Sequence, residues 1–209
     1  MKLLVLGATG PTGLQVVRQA LAQGHEVTAF VRDPARLPPS DPRLHVLTGS
    51  LPGDTAALAI ALQGQDAVIC ALGVRNAFKS GGLIESAMRV LVPAMERAGV
   101  RRFLLVSANG VGETRRRSPL VPRVMYRLLL GDIFADKEAG EAIVRASSLE
   151  WTIAYPTLLT DGPLSGRYRA GETLELRGMP KIARADVAAF LLRELAARAF
   201  VRKGVVLSN

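Results

Sequence analysis

Three glycines stand at three-residue spacing near the start of the chain, in Gly7-Ala8-Thr9-Gly10-Pro11-Thr12-Gly13. They follow an apolar run and precede a helical pattern. A turn without Cβ atoms bends sharply, lets the main chain approach a pyrophosphate, and aims the free amides of a starting helix at the anion. Pro11 suits a first helical turn, where its missing N–H would have no intrahelical partner. Gly7, Thr9, Gly10, Pro11, Thr12 and Gly13 are therefore expected to hold a dinucleotide. The second apolar run ends in Phe30-Val31-Arg32-Asp33-Pro34, about twenty residues past the glycines, where such folds meet the adenosine ribose. An acid there accepts from both ribose hydroxyls, whereas Arg32 pairs with a 2′-phosphate and lies flat on adenine. The expected cofactor is NADP(H), in preference to NAD(H). Two alternatives stay open: Asp33 rather than Arg32 faces the ribose, or the two form a surface pair. Arg36 is either a second phosphate contact or an exposed residue.

Other reactive side chains are few. The single cysteine, Cys70, excludes an intramolecular disulfide and sits in an apolar run as a small buried side chain. His25 and His45 lie far apart and make no metal-ligand cluster, so no metal is expected. The charge of +9, from 27 basic and 18 acidic residues, favours anionic partners without selecting nucleic acid. Its densest run, Arg115-Arg116-Arg117, has no interleaved aromatics and reads as a solvated loop, so no nucleic-acid partner is expected.

Positioning these residues requires strands and helices in alternation. Strands are expected at Lys2–Leu6, Glu26–Val31 and Leu44–Thr48, then at 67–71, 103–107, 151–155 and 204–207. Helices fall at 13–23, Thr55–Leu62, 82–98, 132–146 and 185–199, with a loop at 110–117 and an irregular region at 163–178. Runs such as "LLVL" and "AVICAL" are apolar at every position, as in strands covered by helices on both sides. A doubly wound, mainly parallel α/β sheet follows. At 209 residues, 49% hydrophobic and 22% charged, the chain reads as one domain over 1–209 with a sizeable core. No membrane span or signal peptide is visible, and a cytoplasmic location is expected.

Six segments together resemble the atypical short-chain dehydrogenase/reductase family, especially its small NAD(P)H-binding members related to biliverdin IXβ/flavin reductase and to NmrA-like proteins. They are "LLVLGATGPTG", "FVRDPARL", "DAVICALG", "FLLVSANGVG", "LEWTIAYPTLLTDGP" and "IARADVAAFLL", which span almost the whole chain. The resemblance implies a single-domain Rossmann fold with Ala71, Leu72 and Gly73 along the dinucleotide. It places Ser107 near the nicotinamide or substrate, and Tyr155, Pro156 and Thr157 at the nicotinamide end. Catalytic members carry a Tyr four positions before a Lys on one helix, the Lys lowering the phenol's pKa. Here Lys137 occupies the lysine position, implied to contact the nicotinamide ribose, but Ile133 stands where the tyrosine belongs. Tyr126 substitutes only if the intervening segment folds back.

Without that phenol, a flavin, quinone or linear tetrapyrrole suits better than a ketone, because such conjugated systems accept hydride and take their proton from solvent. An NADPH-dependent reductase of such an acceptor is the first functional expectation, with Ser107 and Lys137 as its catalytic residues. The acceptor is expected beside Ser107, Asn109 and the loop 110–117. A non-catalytic NADP(H)-sensing protein of NmrA-like type is the second, and a sugar-nucleotide epimerase-like enzyme the third. Monomer and dimer both stay open.

Overall fold

The computed structural model describes residues 1–38, 41–74, 80–117 and 120–209, with residues 115–117 and 120–130 described by backbone alone. The elements in chain order are β1 (Lys2–Leu6), α1 (Pro11–Ala22), β2 (Glu26–Val31), β3 (Leu44–Thr48), α2 (Thr55–Leu62), β4 (Ala67–Cys70), α3 (Leu83–Ala98), β5 (Arg102–Val106), α4 (Leu120–Ala146), β6 (Glu150–Pro156), β7 (Leu158–Thr160), β8 (Arg169–Gly171), β9 (Lys181–Ala183), α5 (Arg184–Ala197) and β10 (Lys203–Ser208). Eight strands form one sheet in the order β3-β2-β1-β4-β5-β6-β10-β8. Every pairing in it is parallel except β8 with β10. The order reverses between β1 and β4, and in open α/β sheets ligands bind outside the carboxyl ends of the strands at that reversal.

The uniformly apolar strands are explained by two cores. Leu4, Leu6, Cys70, Phe103 and Leu105 pack on the face that carries α2, α3 and α4. Leu3, Val5, Ile69, Leu104 and Val106 pack on the opposite face with residues of α1 and α5. Side chains alternate along a strand, so a strand buried on both faces has no polar position to spend. At the amino end of β5 the Arg102 guanidinium is enclosed, donating to Glu150 O at 2.7 Å, Thr152 Oγ1 at 2.8 Å and Glu194 Oε1 at 3.1 Å. Glu194 also accepts from the Phe200 N–H at 2.8 Å. This cluster joins β5, β6 and α5 at the sheet edge away from the glycine turn.

Several boundaries differ from expectation for identifiable reasons. Helix α1 begins at Pro11, since Gly10 is extended (φ −76°, ψ 159°) and Pro11 opens the first turn. Helix α4 runs back to Leu120, across Gly131. A glycine inside a helix costs about 1 kcal/mol, which a long packed helix absorbs. Position 126 thus stays in the same continuous helix as Lys137, about 16 Å away along its axis, and the fold-back that Tyr126 needed does not occur. The region read as irregular contains β8, which pairs antiparallel with β10, while β7 pairs with β9 beside the main sheet. Among the described residues no helix is long and apolar enough to cross a membrane.

Candidate nicotinamide dinucleotide site

The glycine turn lies at the carboxyl end of β1, against the segment that leaves β4. Gly7 has φ +75°, and a Cβ on it would lie 2.5 Å from Ala71 O and 2.9 Å from Leu72 N. Only glycine meets both the left-handed backbone and this close crossing. A Cβ on Gly13 would lie 2.1 Å from Gly7 O, so the third glycine sets how closely α1 approaches β1. Gly10 differs: a Cβ there would find only Gly7 O, at 3.2 Å. The first helical bond runs from Leu14 N–H to Gly10 O at 2.8 Å. The Thr12 and Gly13 amides precede it and have no intrahelical partner. A turn with a single close neighbour at Gly10 and free amides beside it fits a pyrophosphate.

Arg32, just past β2, is exposed and makes no hydrogen bond or ion pair among the described residues. Asp33 instead accepts from the Ala35 N–H at 2.9 Å and caps the short 3-10 turn Pro34–Arg36. The surface Arg32–Asp33 pair is therefore not formed, and the guanidinium stays exposed. Beyond β4, the Ala71 N–H donates to Leu6 O at 2.9 Å, and Leu72 and Gly73 continue along the same edge.

The carboxyl ends of β5 and β6 are built around a carboxylate, Glu141, that the residue types alone did not single out. Ser107 follows β5 and donates from Oγ to Glu141 Oε1 at 2.5 Å. Tyr155 donates to Glu141 Oε2 at 2.6 Å, and Arg145 donates from Nη2 to the Tyr155 oxygen at 2.9 Å. Arg145 also pairs with Glu113 at 3.0 Å and lies over the Trp151 ring. Glu141 is 2% exposed. Burial pushes its pKa up against the Ser107 and Tyr155 hydrogen bonds and the Arg145 charge. Lys137 stands one turn earlier on the same face of α4, half-buried. Desolvation lowers its pKa, opposed by Cys70, Glu141 and Asp136 nearby. The sequence does hold a signal for this group, since Lys137, Glu141 and Arg145 recur at four-residue spacing on one helix face.

Tyr155 turns its side chain into the interior, 1% exposed, rather than toward the strand end. Thr157 sends its hydroxyl to Leu207 O on β10 at 3.2 Å. Pro156 O accepts from the Asn109 N–H at 2.9 Å, tying the segment after β5 to the last residue of β6. Residues 112–117 form a short 3-10 helix, and the Arg115–Arg117 side chains lie outside the described residues. Cys70 is fully buried, and burial raises its thiol pKa to about 11. Among the described residues no group of His, Cys, Asp or Glu could hold a metal. A groove of about 430 Å³ between Arg169, Arg177, Met179 and Lys181 opens beside β10. It stands four strands from β1, about 19 Å at ordinary strand spacing, and is too remote for the pyrophosphate.

The wall formed by α4 also fixes α3. Asp136 accepts from the Ile84 and Glu85 N–H groups at 3.0 and 2.8 Å, capping a helix whose own N-cap, Gly82, offers no side chain. Asp136→Ala is expected to lower stability by about 1–2 kcal/mol, measured by urea denaturation. An unchanged midpoint would show that the cap is dispensable.

A family model described as NAD(P)H-binding matches residues 7–198. The chain belongs to this NAD(P)H-binding family. An uncharacterised chloroplast protein of Arabidopsis thaliana is 33% identical over 173 residues, 79% of this chain and 61% of that protein, so the chain spans less than two thirds of that relative. The anaerobilin reductase ChuY of Escherichia coli O157:H7 superposes with a TM-score of 0.81 at 24% identity, over 99% of this chain and 96% of that one. A short-chain dehydrogenase/reductase of Veillonella parvula in complex with NADP gives 0.83 at 22%, over 100% and 94%. The resemblance to atypical short-chain dehydrogenases/reductases and the doubly wound fold are borne out. For an NAD(P)H-binding chain, the glycine turn with its two free amides is the feature that suits the dinucleotide's charged centre.

Proposed function

We propose that this protein is an NADPH-dependent oxidoreductase that passes hydride to a conjugated acceptor such as a flavin or quinone. The observation that carries the reading is the state of its phenols. Ile133 occupies the position one turn before Lys137. Tyr155 is locked between Glu141 and Arg145, Tyr168 packs edge-on to Phe190, and position 126 is remote along α4. A ketone needs a proton donor at its oxygen, whereas a conjugated ring system takes hydride and then a proton from water. The structural likeness to the anaerobilin reductase ChuY supports an acceptor of this kind.

The chain's own groups divide the work. The Thr12 and Gly13 amides hold the pyrophosphate, Arg32 the 2′-phosphate, and Lys137 the ribose near the reacting ring. Bound NADPH supplies the hydride, and the protein supplies alignment and exclusion of water. Ser107 stands at the same edge, where the acceptor is placed. Arg32→Ala is expected to weaken NADPH about tenfold to a hundredfold by removing a charge-assisted contact, and to leave NADH nearly unchanged. Equal losses for both dinucleotides in a fluorescence titration would remove the case for phosphate selectivity.

The deciding experiment is NADPH oxidation by the purified protein with FMN, riboflavin, a quinone and biliverdin in parallel, beside a direct binding titration. Turnover with any of them is the expected result. Tight binding without turnover would favour the sensing reading instead, which the absent tyrosine also motivates.

A further inference from the structure

We propose that Glu141 holds the Ser107 hydroxyl so that Ser107 meets the bound ligand only as a hydrogen-bond acceptor, and thereby selects an N–H donor there. The inference rests on the dinucleotide reading above and goes beyond it by fixing the polarity of the contact.

The polarity of Ser107 follows from a count of protons. Arginine only donates, and a hydroxyl has one hydrogen and two lone pairs. Arg145 donates to the Tyr155 oxygen at 2.9 Å, so the phenol's hydrogen is free to go elsewhere, and it goes to Glu141 Oε2 at 2.6 Å. The other carboxylate oxygen takes the Ser107 hydrogen at 2.5 Å. Against its burial, these two O–H donors and the Arg145 and Lys137 charges favour Glu141 as the ionised acceptor. A Cβ on Gly112 would lie 2.5 Å from Glu141 Oε2, so main chain closes over the carboxylate on that side. Ser107 is 5% exposed, and among the described residues nothing donates to its oxygen. Its single hydrogen is spent inward. For any further partner it has lone pairs alone.

Such an oxygen recognises N–H. Two sources are compatible: the carboxamide of the nicotinamide, or a ring N–H of the acceptor, which a flavin or tetrapyrrole has and a quinone lacks. Glu141 is then a positioning residue, acting through Ser107.

Glu141→Gln tests this directly. Arg145 still forces the Tyr155 hydrogen onto residue 141, so the amide turns its oxygen to Tyr155 and its NH2 to Ser107. The serine hydrogen is released and the contact changes sign. The measurement is the Kd of NADPH against its reduced 3-acetylpyridine analogue, which keeps the carbonyl but has no amide N–H, followed by nicotinamide fluorescence. The wild type is expected to prefer NADPH by about tenfold, the value of one hydrogen bond. That preference should fall to near one in both Glu141→Gln and Ser107→Ala. The second arm compares kcat/KM for riboflavin and for a quinone in the same three proteins. Collapse of the first ratio assigns the contact to the nicotinamide; collapse of the second alone assigns it to the acceptor. If the wild type binds NADPH and neither ratio changes in either variant, the inference is overturned while the dinucleotide reading stands. If the wild type binds no dinucleotide, both fall. Thermal melting precedes the titrations, and Ser107→Ala decides alone if Glu141→Gln does not fold.

Discussion

Replacing Gly10 by valine is expected to leave the protein folded and to remove dinucleotide binding, whereas replacing Gly13 by alanine is expected to damage the fold itself. The two glycines are three residues apart in the same turn, but they face different neighbours. Gly10 is extended, a backbone that valine adopts readily, and the one atom near its Cβ is Gly7 O at 3.2 Å, which has to give by only a few tenths of an ångström. The added methyls would occupy the space through which a pyrophosphate reaches the Thr12 and Gly13 amides. Losing two hydrogen bonds to a charged group costs about 3 kcal/mol or more, a hundredfold or more in Kd. On Gly13 a methyl would meet Gly7 O at 2.1 Å and Gly7 C at 2.7 Å, both main chain. Helix α1 would have to lift from β1, at about 2–3 kcal/mol. Titration with NADPH and urea denaturation on both variants separate the effects. Near-wild-type affinity in Gly10→Val would remove the turn from the binding site.

Arg102→Ala should be the most destabilising single change at the opposite edge of the sheet, costing about 3–5 kcal/mol. The ion pair with Glu194 is enclosed, both side chains being 3% exposed. Truncation leaves the Glu194 carboxylate buried with only the Phe200 N–H, and orphans Glu150 O and Thr152 Oγ1 as acceptors of that guanidinium. Much of the cost is thus the stranded charge, so Arg102→Ala combined with Glu194→Leu should recover a good part of it. Chemical denaturation of the two single variants and the double variant measures the recovery. If the double variant is as unstable as Arg102→Ala alone, the loss comes from packing and the stranded-charge account is wrong.

The parts of this molecule that were legible in its sequence are those whose determinants are local. Gly7, Gly10 and Gly13 declare a turn because three absent side chains at one spacing have few other uses. Apolar runs such as Leu3–Leu6 declare strands with two buried faces. Arg32 was nameable because its position relative to the turn follows from the length of one βαβ unit. The four-residue spacing of Lys137, Glu141 and Arg145 marks a helix face, but the Ser107–Glu141 and Glu141–Tyr155 bonds join residues 34 and 14 positions apart, so nothing local names the partners that face meets. Strand β8 was missed because three residues, Arg-Ala-Gly, carry no alternation, and only the pairing with β10 makes them a strand. The start of α4 was placed twelve residues late because Gly131 and Asp132 read as a boundary, while Asp132 in fact accepts from Ser80 N at 2.6 Å.

The solitary thiol of Cys70 has a practical bearing on how this protein can be handled. With a pKa of about 11, only about one molecule in ten thousand carries the thiolate at neutral pH, and the sulfur is sealed at the carboxyl end of β4. Alkylating reagents and mild oxidants should therefore pass the native protein by. A cysteine introduced at an exposed position would be the one reactive handle on the molecule, and a dye placed there could report on the filling of the cleft without first stripping the background.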